Sequence, residues 1–396
     1  MFKFLIIILF VINSLFSTAH PWKPQYFVII DTDASIDDLY TLNILLNHTG
    51  VRVLAITVSN GATPATIGYQ KVKSMLTETH HEGILVGINK QTVNQNIQPD
   101  AVSFSWSNEE YPGFIEHSAE SVLKRILNYN TEPLTFINLA SLHTLNLFLT
   151  LNAETNTQIN EVLWNIEEPV SNAYNYNLAP NSYHELSENA LEIGFHKNII
   201  ELFSGENSYQ EKFQVFREFP ADALNYTSDI APQAQSTQKK FGAREWAACI
   251  ITNELHRHIG IYAIIGAKMG IRALEYFGAG ADELQISSYA GANPPVSCLN
   301  DGIQVSTGAT LGHGLIKIIK TDNPEPTMVF TYLGQKLSIT LKPEYQKQIQ
   351  RDLKQLSAVH GINSDVYWDL VREIALNCWF NWDRNEIFEL KYNTNP

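Results

Sequence analysis

Residues 26–38 read Tyr-Phe-Val-Ile-Ile-Asp-Thr-Asp-Ala-Ser-Ile-Asp-Asp, so four carboxylates follow directly on a mainly apolar run. The apolar run is typical of a strand buried in a parallel sheet. Carboxylates crowded at its end repel one another, by about 4 kcal/mol for a pair about 4 Å apart at an effective dielectric of about 20. A hard divalent cation with oxygen ligands offsets such repulsion. The stretch therefore predicts a cation site, for which Asp31, Asp33, Asp37 and Asp38 are all candidate ligands.

A second interpretation treats these acidic residues as a solvated turn that caps the following helix. Asp37 and Asp38 fit that role, because carboxylates stabilise a helix N-terminus. Capping leaves Asp31 and Asp33 unexplained, so the cation site is the stronger interpretation.

The composition is that of a globular protein with room for two domains, with 396 residues of which 44% are hydrophobic and 17% charged. A formal net charge of -14 argues against a basic surface for nucleic acid or anionic membranes. We therefore expect no nucleic-acid partner. The three cysteines do not form a disulfide framework, and Cys249 and Cys378 lie in helical apolar stretches typical of core packing.

Residues 1–19 have the features of a secretory signal, which are a basic start at Lys3, a short apolar core and the small residues Ser17-Thr18-Ala19. The apolar core is shorter than the stretch of about 20 residues that a membrane-spanning helix needs. We therefore expect cleavage after Ala19, no membrane span, and export to the periplasm or the outside of the cell.

Strand and helix patterns alternate through residues 20–222. Apolar strand patterns occur at residues 27–30, 51–58, 83–87 and 134–137, with helical patterns between them. This alternation predicts an α/β domain with an open, mostly parallel sheet, whose ligands bind outside the carboxyl ends of the strands.

The second half has a different pattern. Residues 223–242 include a polar run and are predicted to be a linker. Residues 243–396 combine helices with a strand at 315–319 and a hairpin around Gly334, which predicts a smaller α+β domain.

The pattern Asp31-x-Asp33-x-x-x-Asp37-Asp38 directly after a first strand resembles the inosine/uridine-preferring nucleoside hydrolase family, over about residues 26–194. The resemblance implies an open α/β fold and Ca²⁺-dependent cleavage of an N-glycosidic bond in a nucleoside. It implies that Asp33 and Asp38 bind Ca²⁺, that Asp33 also takes a proton from a metal-bound water, and that Asp37 binds ribose hydroxyls.

Two later segments extend this resemblance. Leu139 matches a position at which the family binds the metal with a backbone carbonyl, and Asn177 matches an Asn that holds the sugar. The sequence departs from the family where Ala34-Ser35 replaces Pro-Gly and where Asn175 replaces an acid. The family's late His-Asp pair is also missing before residue 223, so the last Ca²⁺ ligand and the leaving-group acid are unassigned.

A rival interpretation treats Asp31-Thr32-Asp33 as the Asp-x-Asp motif of haloacid-dehalogenase-type phosphotransferases. Asp31 would then be a phosphorylated nucleophile and Asp33 an acid/base. This interpretation does not account for Asp37 and Asp38.

Three motifs in the second half resemble a domain family named after one component of formylmethanofuran dehydrogenase, over roughly residues 246–319. They are His256-x-His258, Cys298-x-x-Asp301-x-Ile303-Gln304 and Thr307-Gly308-x-Thr310-x-Gly312. His256, His258 and Cys298 are candidate ligands for Zn²⁺. Two histidines at i and i+2 can share a metal only if the helix ends there, which Gly260 permits. The alternative is that these residues are structural.

We therefore expect an exported hydrolase that cleaves the N-glycosidic bond of a nucleoside or related riboside. The alternative is a two-domain metal- or ligand-binding protein in which the first half does not turn over a substrate. The sequence predicts no oligomeric state.

Overall fold

The computed structural model describes residues 24–48, 50–90, 97–106, 117–155, 159–164, 195–196, 219–220 and 222–393. The predicted signal segment and the predicted sugar ligand Asn177 lie outside the described residues. Within them, no helix is both long and apolar enough to cross a membrane.

The first half is built on a parallel sheet. In the described residues this sheet has seven strands in the order β4-β3-β2-β1-β5-β6-β7. The strands are β1 (Tyr26–Thr32), β2 (Val51–Ser59), β3 (Leu85–Asn89), β4 (His117–Ser118), β5 (Leu134–Asn138), β6 (Ile159–Trp164) and β7 (Phe195–His196). The connecting helices are α1 (Ile36–Asn47), α2 (Ala65–Glu78), α3 (Pro99–Ser103), α4 (Ala119–Tyr129) and α5 (His143–Thr155).

The central strand β1 is buried on both faces, as its continuous apolar sequence predicts. Val28 and Ile30 belong to one apolar cluster, whereas Phe27 and Ile29 belong to another. This alternation follows from the two-residue period of a strand, which sends successive side chains to opposite faces of the sheet. Helices therefore cover both faces, as in other open parallel sheets.

The strand order reverses next to β1. The chain runs from β1 outward to β4 on one side, and then returns to place β5 on the other side of β1. Such a reversal opens a crevice at the carboxyl ends of the two central strands, which is where open α/β sheets bind ligands. The acidic stretch that follows β1 lies at this crevice.

The second half contains a five-stranded sheet, counted over the described residues, in the order β12-β11-β10-β8-β9. Its strands are β8 (Gln285–Ser288), β9 (Ile316–Ile318), β10 (Thr327–Tyr332), β11 (Gln335–Leu341) and β12 (Phe388–Asn393). Its helices are α6 (Ala234–Phe241), α7 (Ala243–His256), α8 (Ile261–Phe277), α9 (Leu299–Thr307), α10 (Pro343–His360) and α11 (Asp365–Asn381). One apolar core, with Trp246, Phe277, Phe330 and Trp379 among its largest members, joins the sheet to the helices. The predicted fold class, an open parallel sheet followed by a smaller α+β part, is confirmed.

The predicted linker is not a free connector. Residues 223–242 form two short 3-10 helices and α6, and Ile230, Ala234 and Phe241 are buried. Ile230 and Ala234 belong to the core of the second half. The polar composition suggested a linker because only a few, widely spaced positions of this segment are buried.

The two halves are joined by polar contacts. Arg272 on α8 pairs with Glu82 at 2.6 Å, and its Nη1 donates to the carbonyl of His80. Arg52 on β2 pairs with Glu283 at 3.2 Å. Arg272 is 4% exposed, so its charge depends on this pairing.

We expect Arg272→Ala to lower the free energy of unfolding by about 3 kcal/mol, because it leaves the Glu82 carboxylate without its cation. Arg351→Ala is the matched control, since the Arg351 side chain is 73% exposed, and its effect should stay within about 0.5 kcal/mol. Urea unfolding measures both. Equal effects of the two substitutions would show that the Arg272 contact does not hold the halves together.

Candidate functional site

The acidic site begins at the end of β1 and the start of α1. Asp31, Asp33 and Asp38 are 0%, 5% and 6% exposed, whereas Asp37 points to solvent. Ser35 caps α1, and its Oγ accepts a hydrogen bond from the Asp38 backbone N–H at 3.3 Å. Asp37 and Asp38 lie in the first turn of α1, as the capping interpretation predicts, but the cap itself is Ser35 and Asp38 is buried rather than solvated.

A tight turn brings Asp38 back against Asp33. Ala34 has a φ of +56°, which is uncommon for a residue with a side chain. The Thr32 hydroxyl accepts from the Ala34 N–H at 2.9 Å and donates to Asp38 Oδ2 at 2.6 Å. The Asp33 N–H donates to the same oxygen at 3.2 Å. Thr32 therefore fixes both the turn and the orientation of Asp38.

The loop after β2 holds Asp33. Its Oδ2 accepts from the Ala62 N–H at 2.9 Å, and its Oδ1 accepts from the Ser35 N–H at 3.1 Å. The Thr63 hydroxyl donates to the Asp33 carbonyl at 2.7 Å. A side chain at Gly61 would collide with the Asp33 carboxylate, so this position requires glycine. Gly61 and Ala62 thus have definite roles in holding Asp33.

Asp31 faces hydroxyl groups of β2. Asp31 Oδ1 accepts from the Thr57 hydroxyl at 2.6 Å, and Ser59 Oγ lies 2.9 Å from Asp31 Oδ2. Ser59 in turn contacts Thr144 at 2.9 Å. Sequence reasoning missed Thr57 and Ser59, although their position at the end of an adjacent parallel strand is the signal that could have found them. Asp31 therefore anchors the end of β1 to β2.

The environment of Asp31 disagrees with the phosphotransferase interpretation. Asp31 is 0% exposed and hydroxyl donors occupy its carboxylate. A nucleophile that attacks a phosphoryl group must reach its substrate. The burial of Asp31 therefore argues against its role as the nucleophile of a phosphotransferase.

Burial dominates the electrostatics of the site. It raises the pKa of Asp31 to about 7, against the lowering effect of the Thr57 and Ser59 hydroxyls. It also raises the pKa of Asp33, although the N–H groups of Ala62 and Ser35 oppose the shift. The pKa of Asp38 is raised well above its usual value by burial and then by the neighbouring Asp33.

The donor set fits a hard divalent cation in kind, because it consists of oxygen atoms. No Lys or Arg of the described residues forms a salt bridge with Asp31, Asp33 or Asp38. Asn138 Oδ1 and Ser141 Oγ, on and after β5, are buried without a hydrogen-bond partner in the described chain. Asn138 is the register partner of Asp31, so these oxygen atoms lie beside the acidic residues.

The described residues do not form a complete metal site. No group of three or more His, Cys, Asp or Glu side chains in the described part of the chain is placed to hold a metal ion. The structure brings Asp33 and Asp38 together and turns Asp31 toward β2. Leu139 follows β5 and its N–H donates to the Asp31 carbonyl at 2.8 Å, which puts it at the same crevice. Metal binding by these residues stays a prediction.

The second predicted site lies at the end of α7. The helix ends at His256, and Arg257 has a left-handed φ of +66°. The rings of His256 and His258 are consequently 4.3 Å apart between centroids. Because α7 ends at His256, the rings of His256 and His258 lie close enough to face one ligand. Residues i and i+2 of a continuous helix point in different directions and could not do so.

Asp301 lies between His256 and the region of Cys298. His256 Nδ1 is 2.7 Å from Asp301 Oδ2, and His256 Nε2 is buried without a hydrogen-bond partner in the described residues. Cys298 is half-buried at the start of α9, and burial, followed by the charge of Asp301, raises the pKa of its thiol. His313 lies elsewhere, with its ring 3.4 Å from Asp282. Nitrogen and sulfur donors suit Zn²⁺, and Asp301 is the additional residue that sequence reasoning did not assign.

Comparisons with known proteins divide the chain in the same way. A family model described as "FmdE, Molybdenum formylmethanofuran dehydrogenase operon" matches residues 255–389. No curated protein matches the sequence.

The solved structures that the chain resembles include three nucleoside hydrolases. An inosine-guanosine nucleoside hydrolase is 20% identical, with a TM-score of 0.34, and the match covers 40% of this chain and 55% of that one. An inosine-uridine preferring nucleoside hydrolase from Bacillus anthracis is 15% identical, with a TM-score of 0.31, and the match covers 36% of this chain and 54% of that one. A plant nucleoside hydrolase is 19% identical, with a TM-score of 0.31, and the match covers 35% of this chain and 47% of that one.

The chain thus spans about half the length of these solved structures. The resemblance of the first half to nucleoside hydrolases and that of the second half to the formylmethanofuran dehydrogenase domain family, both predicted from the motifs, are therefore found again. The fold class rests on the strand order of the chain itself, and the roles of individual residues stay predictions.

The raised pKa of Asp31 predicts a pH dependence of stability. In the presence of a chelator, the native state holds a proton on Asp31 between about pH 4 and pH 7 that the unfolded state releases. Stability should therefore fall as the pH rises through this window, by up to about 4 kcal/mol from this group.

Urea unfolding at several pH values measures this effect. Asp31→Asn should make the profile less steep, with the remaining slope due to Asp33 and Asp38, whose pKa values are also raised, whereas Asp322→Asn, a change at an exposed carboxylate, should keep the wild-type slope. If Asp31→Asn has the wild-type slope, Asp31 is not protonated in the native state.

The motifs of the second half predict bound Zn²⁺ that depends on His256, His258 and Cys298, although the described structure does not bring these three side chains together as a metal site. His256→Ala and Cys298→Ala should each lose the metal, because an absent ligand opens the coordination shell. His313→Ala is the matched control and should keep it. Elemental analysis after dialysis measures the content. Unchanged zinc in His256→Ala and Cys298→Ala would remove these residues as ligands.

Proposed function

We propose that the first half hydrolyses the N-glycosidic bond of a nucleoside or related riboside, that Asp33 and Asp38 hold Ca²⁺ for this reaction, and that the protein is exported. One observation carries the proposal. Two adjacent buried carboxylates lie at the carboxyl end of β1, where the strand order reverses, with no salt bridge to Lys or Arg within the described residues. A cation offsets their repulsion there, and the crevice provides space for a substrate.

Asp33 is placed to take a proton. Backbone N–H groups of Ala62 and Ser35 fix its carboxylate, and each of its two oxygens keeps a second lone pair. Burial raises its pKa, which makes it a stronger base than an exposed Asp. Bound Ca²⁺ would supply a polarised water and a fixed point for the sugar hydroxyls.

Asp37 and Asp38 have different tasks because their exposures differ. Asp38 is buried and oriented by Thr32, which suits a metal ligand. Asp37 is exposed at the start of α1, and its Oδ1 accepts from the Ser35 hydroxyl at 2.6 Å. Its second oxygen is left for hydrogen bonds with sugar hydroxyls. Leu139 at the crevice would contribute its carbonyl to the cation.

Binding without turnover is the second candidate function. It is favoured by Asp31, whose carboxylate is occupied by hydroxyls and adds no open ligand. A site with two carboxylates can hold a ligand or a cation without the full set of groups that catalysis requires.

A panel of nucleosides separates the two functions. With inosine, uridine, guanosine, adenosine and cytidine, we expect release of ribose in the presence of Ca²⁺ and its loss with a chelator. Asp33→Asn should lower the rate by about 100-fold or more, because the base is lost.

Glu120→Gln is the control variant, since Glu120 is exposed and pairs only along its own helix with Lys124; its rate should equal the wild-type rate. Absence of ribose release from every nucleoside, in protein whose fold is shown by circular dichroism, would overturn hydrolysis. Binding of a nucleoside without release would establish the second candidate.

A further inference from the structure

A cavity of about 340 Å³ lies in the second half and shares no lining residue with the acidic site. The segment 225–230, the end of α7 and the helix α11 form its walls. Its apolar lining consists of Tyr226, Ile230, Ile250, Ile259 and Trp379. The volume and this lining are those of a small-molecule pocket at the lower end of the usual range.

Trp379 contributes a hydrogen-bond donor that has no acceptor. The residue is 1% exposed, and its indole Nε1 is buried without a hydrogen-bond partner in the described residues. Its ring is held by stacking on Trp246 at 4.9 Å between centroids. Trp246, in contrast, donates from its own Nε1 to the Tyr226 hydroxyl at 3.3 Å. Since this Nε1 has less than 1 Å² of accessible surface, it is an unfavourably buried donor behind the cavity wall and not a contact for a ligand.

Arg257 contributes a cation without a counter-charge. It lines the cavity, is exposed, and forms no salt bridge with any residue that the structure describes. Its backbone is fixed in the left-handed region by the turn that ends α7. The Gly260 N–H closes this turn with a hydrogen bond to Asn253 Oδ1 at 3.0 Å. The fold therefore fixes the backbone of Arg257 at the cavity wall, and its exposed guanidinium forms no ion pair within the described residues.

Arg372 is a second, already neutralised arginine in the lining. Its Nε and Nη2 bind the two oxygens of Asp229 at 2.6 and 3.2 Å. Its Nη1 takes no part in these bonds and can donate to a ligand. Glu254, also in the lining, adds one exposed negative charge. Arg257 is therefore the arginine of the lining that is not already paired within the described residues, whereas Glu254 opposes a doubly charged anion such as phosphate.

We propose that this cavity binds a small organic carboxylate with a planar apolar body. The carboxylate pairs with Arg257, because a guanidinium matches a carboxylate with two parallel hydrogen bonds. The apolar body packs between Tyr226, Trp379 and the three isoleucines. The site lies outside the nucleoside crevice, and its existence does not depend on hydrolysis by the first half.

Isothermal titration calorimetry on the whole protein tests the proposal. The probes are benzoate, phenylacetate and 1-naphthoate, each paired with its neutral amide, together with inorganic phosphate. We expect at least one carboxylate to bind at least tenfold more tightly than its amide and than phosphate. Failure of all three carboxylates to bind, or equal binding of the amides, would overturn the proposal.

Two variants with opposite effects make the test specific. Arg257→Gln should weaken carboxylate binding by at least tenfold, and Glu254→Gln should strengthen it, because like-charge repulsion is removed. Arg351→Gln, at an exposed arginine of α10 that does not line the cavity, should bind as the wild type does. Both test positions are exposed, so the fold should survive and circular dichroism checks it. Equal affinities of Arg257→Gln and Arg351→Gln would contradict the proposal.

Discussion

The burial of Asp33 beside Asp38 is the constraint on which the first half depends. Two carboxylates that share a buried turn repel each other, and the surrounding N–H and hydroxyl donors offset only part of this cost. Several elements hold them in place. Thr32 fixes the turn, Gly61 gives the loop after β2 room to approach, and Ser35 starts α1 at the required residue. This concentration of local structure is typical of a functional site rather than of a fold that only needs stability.

In the second half, by contrast, buried charged side chains form ion pairs with one another. Lys268, 0% exposed, lies 2.5 Å from Glu245, and Arg384 joins Glu245 to Glu275. Three polar groups near the end of α7 differ from this pattern within the described residues, because Arg257 forms no salt bridge there and Trp379 Nε1 and His256 Nε2 are buried without a hydrogen-bond partner. Arg257 and His258 both line the cavity, and the ring of His258 contacts that of His256. The predicted metal ligands and the proposed carboxylate pocket are therefore adjacent.

Sequence reasoning found what is local and missed what depends on register or distance. The apolar run followed by carboxylates predicted β1 and the acidic site, because both lie within thirteen residues of chain. The position of Thr57 and Ser59 at the end of β2 indicates that they lie near Asp31, but the register that pairs Asp31 with Thr57 does not follow from the strand patterns. Asp301 meets His256 from 45 positions away. Strand β12, at the edge of the second sheet, was not predicted from the sequence.

Calcium binding to the acidic site is measured most directly by calorimetric titration of the chelator-treated protein with Ca²⁺. The proximity of Asp33 and Asp38 predicts one Ca²⁺ per chain in the wild type and a loss of affinity of at least tenfold in Asp38→Asn. Asp322→Asn, at an exposed carboxylate, should bind as the wild type does. A wild-type protein that binds no Ca²⁺, or an Asp38→Asn variant with unchanged affinity, would contradict a cation site at the end of β1.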